Sequence, residues 1–113
     1  AEYIVTQMFF DNQKFFSFVK ICRDAGITVP IIPGIKVLKT VGQLTGLPKL
    51  FHIDIPNQLT QDVLANPENI KEIGIKWAKQ QVRELIEFGV PCVHFFLMND
   101  VDSVVEIVRE IEV

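Results

Sequence analysis

Ala25-Gly26-Ile27-Thr28-Val29-Pro30-Ile31-Ile32 is the stretch that decides the fold. A helix ends at Ala25, Gly26 takes the left-handed position that closes it, and a proline-marked apolar run then forms a buried strand. Phe88-Gly89-Val90-Pro91 repeats that order at the end of a second helix and leads into Cys92-Val93-His94-Phe95-Phe96-Leu97-Met98. A strand–helix unit used again in this way predicts parallel strands joined by crossovers.

Upstream, Tyr3–Phe10 is β-branched and aromatic on both parities, which predicts a strand buried on both faces. Asp11 or Asn12 can cap the helix that follows. Phe15, Phe18, Val19 and Cys22 give that helix an apolar stripe. The second strand is expected over Val29–Ile32, halted by Pro33-Gly34. Between residues 35 and 55, Gly42, Gly46 and Pro48 interrupt any long helix. A short helix over Thr40–Leu47 and another from Pro56 are expected there. Asn66-Pro67 predicts the start of a long helix capped by Asn66. Its buried stripe is Ile70, Ile73, Trp77, Ala78, Val82, Leu85 and Ile86, and it runs to Phe88. The third strand is expected over Pro91–Met98. A final helix, Val101–Ile111, would bury Val104, Val105, Val108 and Ile111.

Strands buried on both faces need helices outside and a second layer or a closed barrel inside. The fold class is therefore α/β, and three βα units make about three-eighths of a (βα)8 barrel of roughly 250 residues. Residues 1–113 read as one C-terminal segment of such a barrel domain, incomplete as a lone chain. The entry into the first strand straight from Ala1-Glu2, without polar slack, leads us to expect the missing units before Ala1.

Composition narrows the function. Apolar residues make up 49% and charged residues 22%, a globular balance. A net charge of −3 with scattered Lys and Arg argues against nucleic-acid or acidic-membrane binding, which needs a basic face. Val29–Ile35 and Val90–Met98 are far shorter than the roughly 20 residues that span a bilayer. Two cysteines, Cys22 and Cys92, without paired spacing suit a reducing cytoplasm rather than a disulfide framework, and both read as small core residues.

No glycine-rich phosphate loop, HExxH, CxxC or GxSxG motif occurs. What remains are polar residues at strand C-termini, the face where barrels hold their sites. Gln7 sits among apolar strand residues, where an amide must satisfy its donors and acceptor. It is either a heterocycle-facing amide or a core glutamine bonded to backbone or water. His94, lone among apolar neighbours, reads first as a satisfied core histidine, and no ligand spacing supports a metal. His52 reads as a loop residue. Gly34 marks either a close backbone approach to a ligand or a sharp turn. Gln43 reads as an exposed loop or helix residue. Asp11, Asn99 and Asp100 read as helix caps, and Trp77 as packing.

Thr6-Gln7-Met8-Phe9-Phe10-Asp11, Phe15-Phe16-x-Phe18, Ala25-Gly26-Ile27 and Pro30-Ile31-Ile32-Pro33-Gly34-Ile35 together resemble the sixth and seventh strands of methylenetetrahydrofolate reductases. Gly89–Asn99 resembles their eighth strand. The resemblance implies an FAD-dependent oxidoreductase of one-carbon metabolism and methionine biosynthesis. Such an enzyme uses NADH or NADPH to reduce 5,10-methylenetetrahydrofolate to 5-methyltetrahydrofolate. It implies substrate-binding roles for Gln7, on the pterin and nicotinamide, and for Gln43 and Leu47 on folate. Phe96 stands where the family usually has tyrosine, and Asp100 where bacterial members often carry a folate-contacting arginine. The acidic proton donor and most flavin contacts of the family have no counterpart in these residues, so no catalytic or cofactor-binding residue is assigned. Two other readings stand beside this one. One is a non-catalytic βα scaffold that self-associates, or pairs with a missing N-terminal part, through its open edges. The other is a different flavin barrel such as a proline dehydrogenase-like enzyme.

Overall fold

A computed structural model describes residues 2–51, 53–96 and 101–111 of the chain. The readings of His52, Leu97, Met98, Asn99, Asp100 and the Ile111 side chain lie outside the described residues. In chain order the elements are β1 (Ile4–Phe9), α1 (Asn12–Asp24), β2 (Ile31–Ile35), α2 (Gln43–Phe51) and α3 (Asn57–Ala65). A 3-10 turn (Pro67–Asn69), α4 (Ile70–Phe88), β3 (His94–Phe95) and α5 (Val101–Ile111) follow. The sheet is parallel throughout, in the order β1-β2-β3.

The repeated glycines behave alike. Gly26 (φ 85°) and Gly89 (φ 101°) close α1 and α4 in the left-handed region. The next residue bonds back five positions in each case, Ile27 N–H to Cys22 O at 2.9 Å and Val90 N–H to Leu85 O at 3.3 Å. At the other end of α1, Asp11 and not Asn12 is the cap, accepting from Gln13 N–H at 3.0 Å.

Pro33-Gly34 does not halt β2, which runs through both residues. Ile4 N–H donates to Pro30 O, and Gly34 N–H donates to Thr6 Oγ1, so even positions of β2 face β1. Ile35 O faces β3, where it accepts from Phe96 N–H at 2.9 Å. Pro33 therefore turns its nitrogen toward β3 and removes no bond to β1. The same fact starts β3 at His94 rather than at the expected Pro91, while the expected residues Leu97 and Met98 lie outside those described. Ladder pairing starts only past the proline, at Gly34↔His94 and Ile35↔Phe95.

Two cores share the sheet. The first, against α1 and α4, holds Phe15, Cys22, Ile31, Ile35, Ile75, Ala78, Val82, Leu85 and Ile107, with Ile4, Phe9 and Phe95 packed on it. The second lies at the C-terminal ends of the strands. Met8, Phe10, Leu38, Leu47, Leu59 and Val63 form it, with Phe51, Ile73, Trp77 and Phe96 against them. α4 serves both, Ile70, Ile73 and Trp77 packing on the second core and Ile75, Ala78, Val82 and Leu85 lying in the first. Gly74 lets it do so, because a Cβ there would collide with the Leu38 backbone carbonyl.

Several expected burials do not hold. β1 is not covered on both faces: Tyr3 is 57% and Val5 40% exposed. The face away from α1 and α4 is covered only where α2 and α3 reach it. Phe18, Ile86 and Phe88 are exposed, although Phe88 stacks on Phe16 at 4.5 Å. Among the described side chains of α5, Ile107 is fully buried, while Val105 and Val108 are exposed. The stripe there turns through Val104, one of the expected residues, and Ile107, and misses Val105 and Val108. α2 begins at Gln43 rather than Thr40, because Thr40 O accepts Gln43 N–H as a lead-in turn. It also carries Pro48 inside, at the loss of a bond to Leu44 O. Asn66 makes no side-chain cap bond, and the 3-10 turn starting at Pro67 precedes α4. Cys92 is exposed rather than in the core.

Candidate functional site at the strand C-termini

Between Val5 and Met8 the register of β1 slips against β2. Val5 pairs with Ile32 but Met8 pairs with Gly34, so Thr6 and Gln7 together stand opposite Pro33. This is a β-bulge, a device that re-aims side chains at the rims of sheets. It resolves the two readings of Gln7 in part. Gln7 is exposed while Met8 beside it is buried, so it is not a core glutamine. Its Oε1 accepts from Met8 N–H at 3.0 Å, which leaves the Nε2 donor as the end turned to anything else.

Around the bulge the strands are tightly joined. Thr6 Oγ1 accepts from Gly34 N–H and donates to Gln7 O, both at 3.0 Å. Gly34 is crowded from above: a Cβ there would lie 2.5 Å from Phe96 Cε2 and 2.7 Å from Thr6 O. Gly34 is not a sharp turn, since β2 runs through it, and the approach seen here is by Phe96 of the same chain. His94 is exposed, not a core histidine, and sets its ring edge-on to Phe96 with centroids 4.7 Å apart. Thr6, Gln7, Gly34, His94 and Phe96 thus make one patch across β1, β2 and β3.

The remaining expected residues join it unequally. Leu47 is 4% exposed and lies inside the second core with Met8, so it supports the patch from beneath instead of presenting a surface. Phe96 is half-buried against the same core. Gln43, at the first turn of α2, is half-buried. Its Oε1 accepts from Lys39 N–H at 2.6 Å and Thr40 N–H at 3.1 Å, shaping the loop after β2 and leaving its Nε2 side.

Other residues gain a role that hydropathy does not signal. Trp77 Nε1 donates to Phe10 O at 2.8 Å, and Gln81 Nε2 donates to Phe9 O at 3.1 Å. Asn12 Nδ2 donates to Gln81 O and to Glu84 Oε1. α4 is thereby fastened to the β1–α1 junction, just past the bulge. Lys36, 2% exposed after β2, donates to Val37 O at 2.8 Å. The sequence signal for it is a charge set between Ile35 and Val37 in an apolar run.

For the flavin that the resemblance implies, these residues offer no receptacle. The spaces left by Gly34 and Gly74 are filled by Phe96, Thr6 and Leu38 of the chain itself. Gln81 Oε1 is a buried oxygen without a hydrogen-bond partner, but it lies in the interior beside Asn12. Among the described residues no three His, Cys, Asp or Glu side chains are grouped to hold a metal. Among them, too, no helix is long and apolar enough to cross a membrane.

The family model for methylenetetrahydrofolate reductase matches residues 1–112. A probable methylenetetrahydrofolate reductase (NADPH) of Caenorhabditis elegans is 30% identical over 98% of this chain and 17% of that protein. A 5,10-methylenetetrahydrofolate reductase of Pectobacterium carotovorum subsp. carotovorum is 34% identical over 88% of this chain and 34% of that protein. The chain therefore spans between 17% and 34% of the length of these relatives. A solved structure of similar fold is an uncharacterized protein from Clostridium thermocellum that binds two copies of 5-methyl-5,6,7,8-tetrahydrofolic acid. It shares 22% identity, with a TM-score of 0.69, over 98% of this chain and 43% of that one.

Proposed function

The chain belongs to the methylenetetrahydrofolate reductase family, and from that premise we propose that it forms the folate-facing part of an NAD(P)H-dependent reductase. The reaction is reduction of 5,10-methylenetetrahydrofolate to 5-methyltetrahydrofolate. β1, β2 and β3 are then the sixth, seventh and eighth strands of a (βα)8 barrel. Parallel order, unpaired outer edges on β1 and β3 among the described residues, and a sheet face only partly covered favour that placement.

The observation that carries the reading is Gln7, an exposed amide at a bulge in a strand whose next residue is buried. Its Nε2 can donate to an acceptor on the pterin. Its Oε1 can accept as well once it releases Met8 N–H. Phe96 gives the site an apolar wall, Gln43 offers a second Nε2, and Leu47 holds the floor by packing. The described residues do not fit a flavin by themselves, so FAD and the proton donor are assigned to other parts of the intact protein.

In the full-length protein, Gln7→Ala should lower kcat/KM for 5,10-methylenetetrahydrofolate about tenfold, the weight of a lost site hydrogen bond, with FAD content unchanged. Unchanged folate kinetics would remove Gln7 from the site and the reading with it. A second reading, self-association of this segment, is favoured by the two open sheet edges. A concentration-dependent solution mass for the 113-residue chain supports it, and a monomer at all concentrations excludes it.

A further inference from the structure

We propose that His94 is a second hydrogen-bonding contact for folate, set across the sheet from Gln7; the inference rests on the strand C-termini forming the folate face. Ile35 and Phe95, paired in register, belong to the first core, against α1 and α4. Side chains alternate along a strand, so the preceding pair, Gly34 and His94, points to the other face. Phe96 shares that face. Its ring fills the space where Gly34 lacks a Cβ, and it stands at 84° to the His94 ring with centroids 4.7 Å apart. The imidazole is thereby set beside the aromatic wall of the site.

His94 is the one strongly polar side chain in the run Pro91–Met98. It is exposed, and among the described residues none hydrogen-bonds either ring nitrogen. Water satisfies both while that face is open. In the barrel, α1 and α4 lie outside and this face turns inward, at the end where barrels hold their sites. An imidazole enclosed there needs a partner for its donor and for its acceptor, since an unmet one costs the full desolvation of the group. The pterin of folate carries both kinds of group on its ring edges. Met8, Gly34 and His94 form one row across the sheet, with Gln7 just before Met8. Gln7 and His94 thus stand on strands two spacings, about 10 Å, apart. That is the scale of a flat bicyclic ring with a hydrogen bond at either end.

The test is equilibrium binding of 5-methyltetrahydrofolate to the full-length protein, with FAD content and the urea midpoint read on the same samples. His94→Phe keeps an aromatic ring against Phe96 and removes both nitrogens. It should weaken binding about tenfold, the weight of one site hydrogen bond, with FAD content and midpoint unchanged. His94→Gln, whose amide can donate and accept, should recover most of that. If His94→Phe gives no folded protein, His94→Leu is read in its place. Equal losses in the Phe and Gln variants overturn the proposal, because the ligand would not be reading a hydrogen bond. Lost FAD overturns it too, since His94 would then hold the flavin. Unchanged affinity with a lowered midpoint means that another part of the barrel partners His94. That outcome overturns the proposal, and the folate face still stands if Gln7→Ala is impaired. Unchanged affinity in both His94→Phe and Gln7→Ala overturns the folate reading and this inference together.

Discussion

Gly34 lies directly beneath the ring of Phe96, with no room between them for a single methyl group: a Cβ would come 2.5 Å from Phe96 Cε2. Among the described residues β2 and β3 are joined by the pairs Gly34↔His94 and Ile35↔Phe95. The contact therefore sets where the phenyl group stands over the sheet. It also ties Phe96 to the bulge, because Gly34 N–H is held by Thr6.

Gly34→Ala should destabilise the protein by about 1–3 kcal/mol, since the new methyl must displace an aromatic ring and a backbone carbonyl. Gly46→Ala is the control. It lies inside α2 with nothing within 4 Å of its missing Cβ, so alanine should be neutral or stabilise by about 0.5–1 kcal/mol. Chemical denaturation of the two variants checks the contrast. Equal midpoints would show that Gly34 is not confined by Phe96.

Trp77 and Gln81 fasten α4 to consecutive carbonyls at the end of β1. Trp77→Phe keeps an aromatic side chain but removes the indole N–H that Phe10 O accepts, for a loss of about 1–3 kcal/mol. Gln81→Leu frees Phe9 O and Asn12 Oδ1 and should cost a similar amount. Asn12→Leu combined with Gln81→Leu should cost less than the two added, because each removes a partner of the other. Additive losses in urea unfolding would separate them.

Ile107 and Val108 test the phase of α5. Ile107 is 0% and Val108 36% exposed. Ile107→Ala should cost about 2–4 kcal/mol, and Val108→Ala should stay within about 0.5 kcal/mol. The reverse order would place the helix a third of a turn from where it is described.

Local signals that a short stretch carries whole were legible in the sequence. The glycine closures at Gly26 and Gly89 and a cap at Asp11 or Asn12 follow from neighbours within a few residues, and the parallel order from the repetition of one such local pattern. What was hidden depends on pairing across distance. Pro33 looks like a strand end until its nitrogen is known to face away from β1, and nothing near it in sequence says so. Gln7 looks like a core amide because its strand is apolar on both sides. Only the slip opposite Pro33 puts it outside. The resemblance implies a substrate-facing place for Leu47, yet the side chain is buried among Met8, Leu59 and Val63 on other elements. Thr6 gave no signal at all, because a threonine in a strand is ordinary until its hydroxyl is seen to bridge Gly34 N–H and Gln7 O.

The most direct measurement of the central claim is equilibrium binding of 5-methyltetrahydrofolate to the full-length protein, wild type against Gln7→Ala, at matched FAD content. The account predicts that the variant binds at least about tenfold more weakly, the equivalent of one lost site hydrogen bond. Equal affinities would mean that Gln7 does not touch folate, and the strand C-termini of this chain would lose their assignment as its binding face.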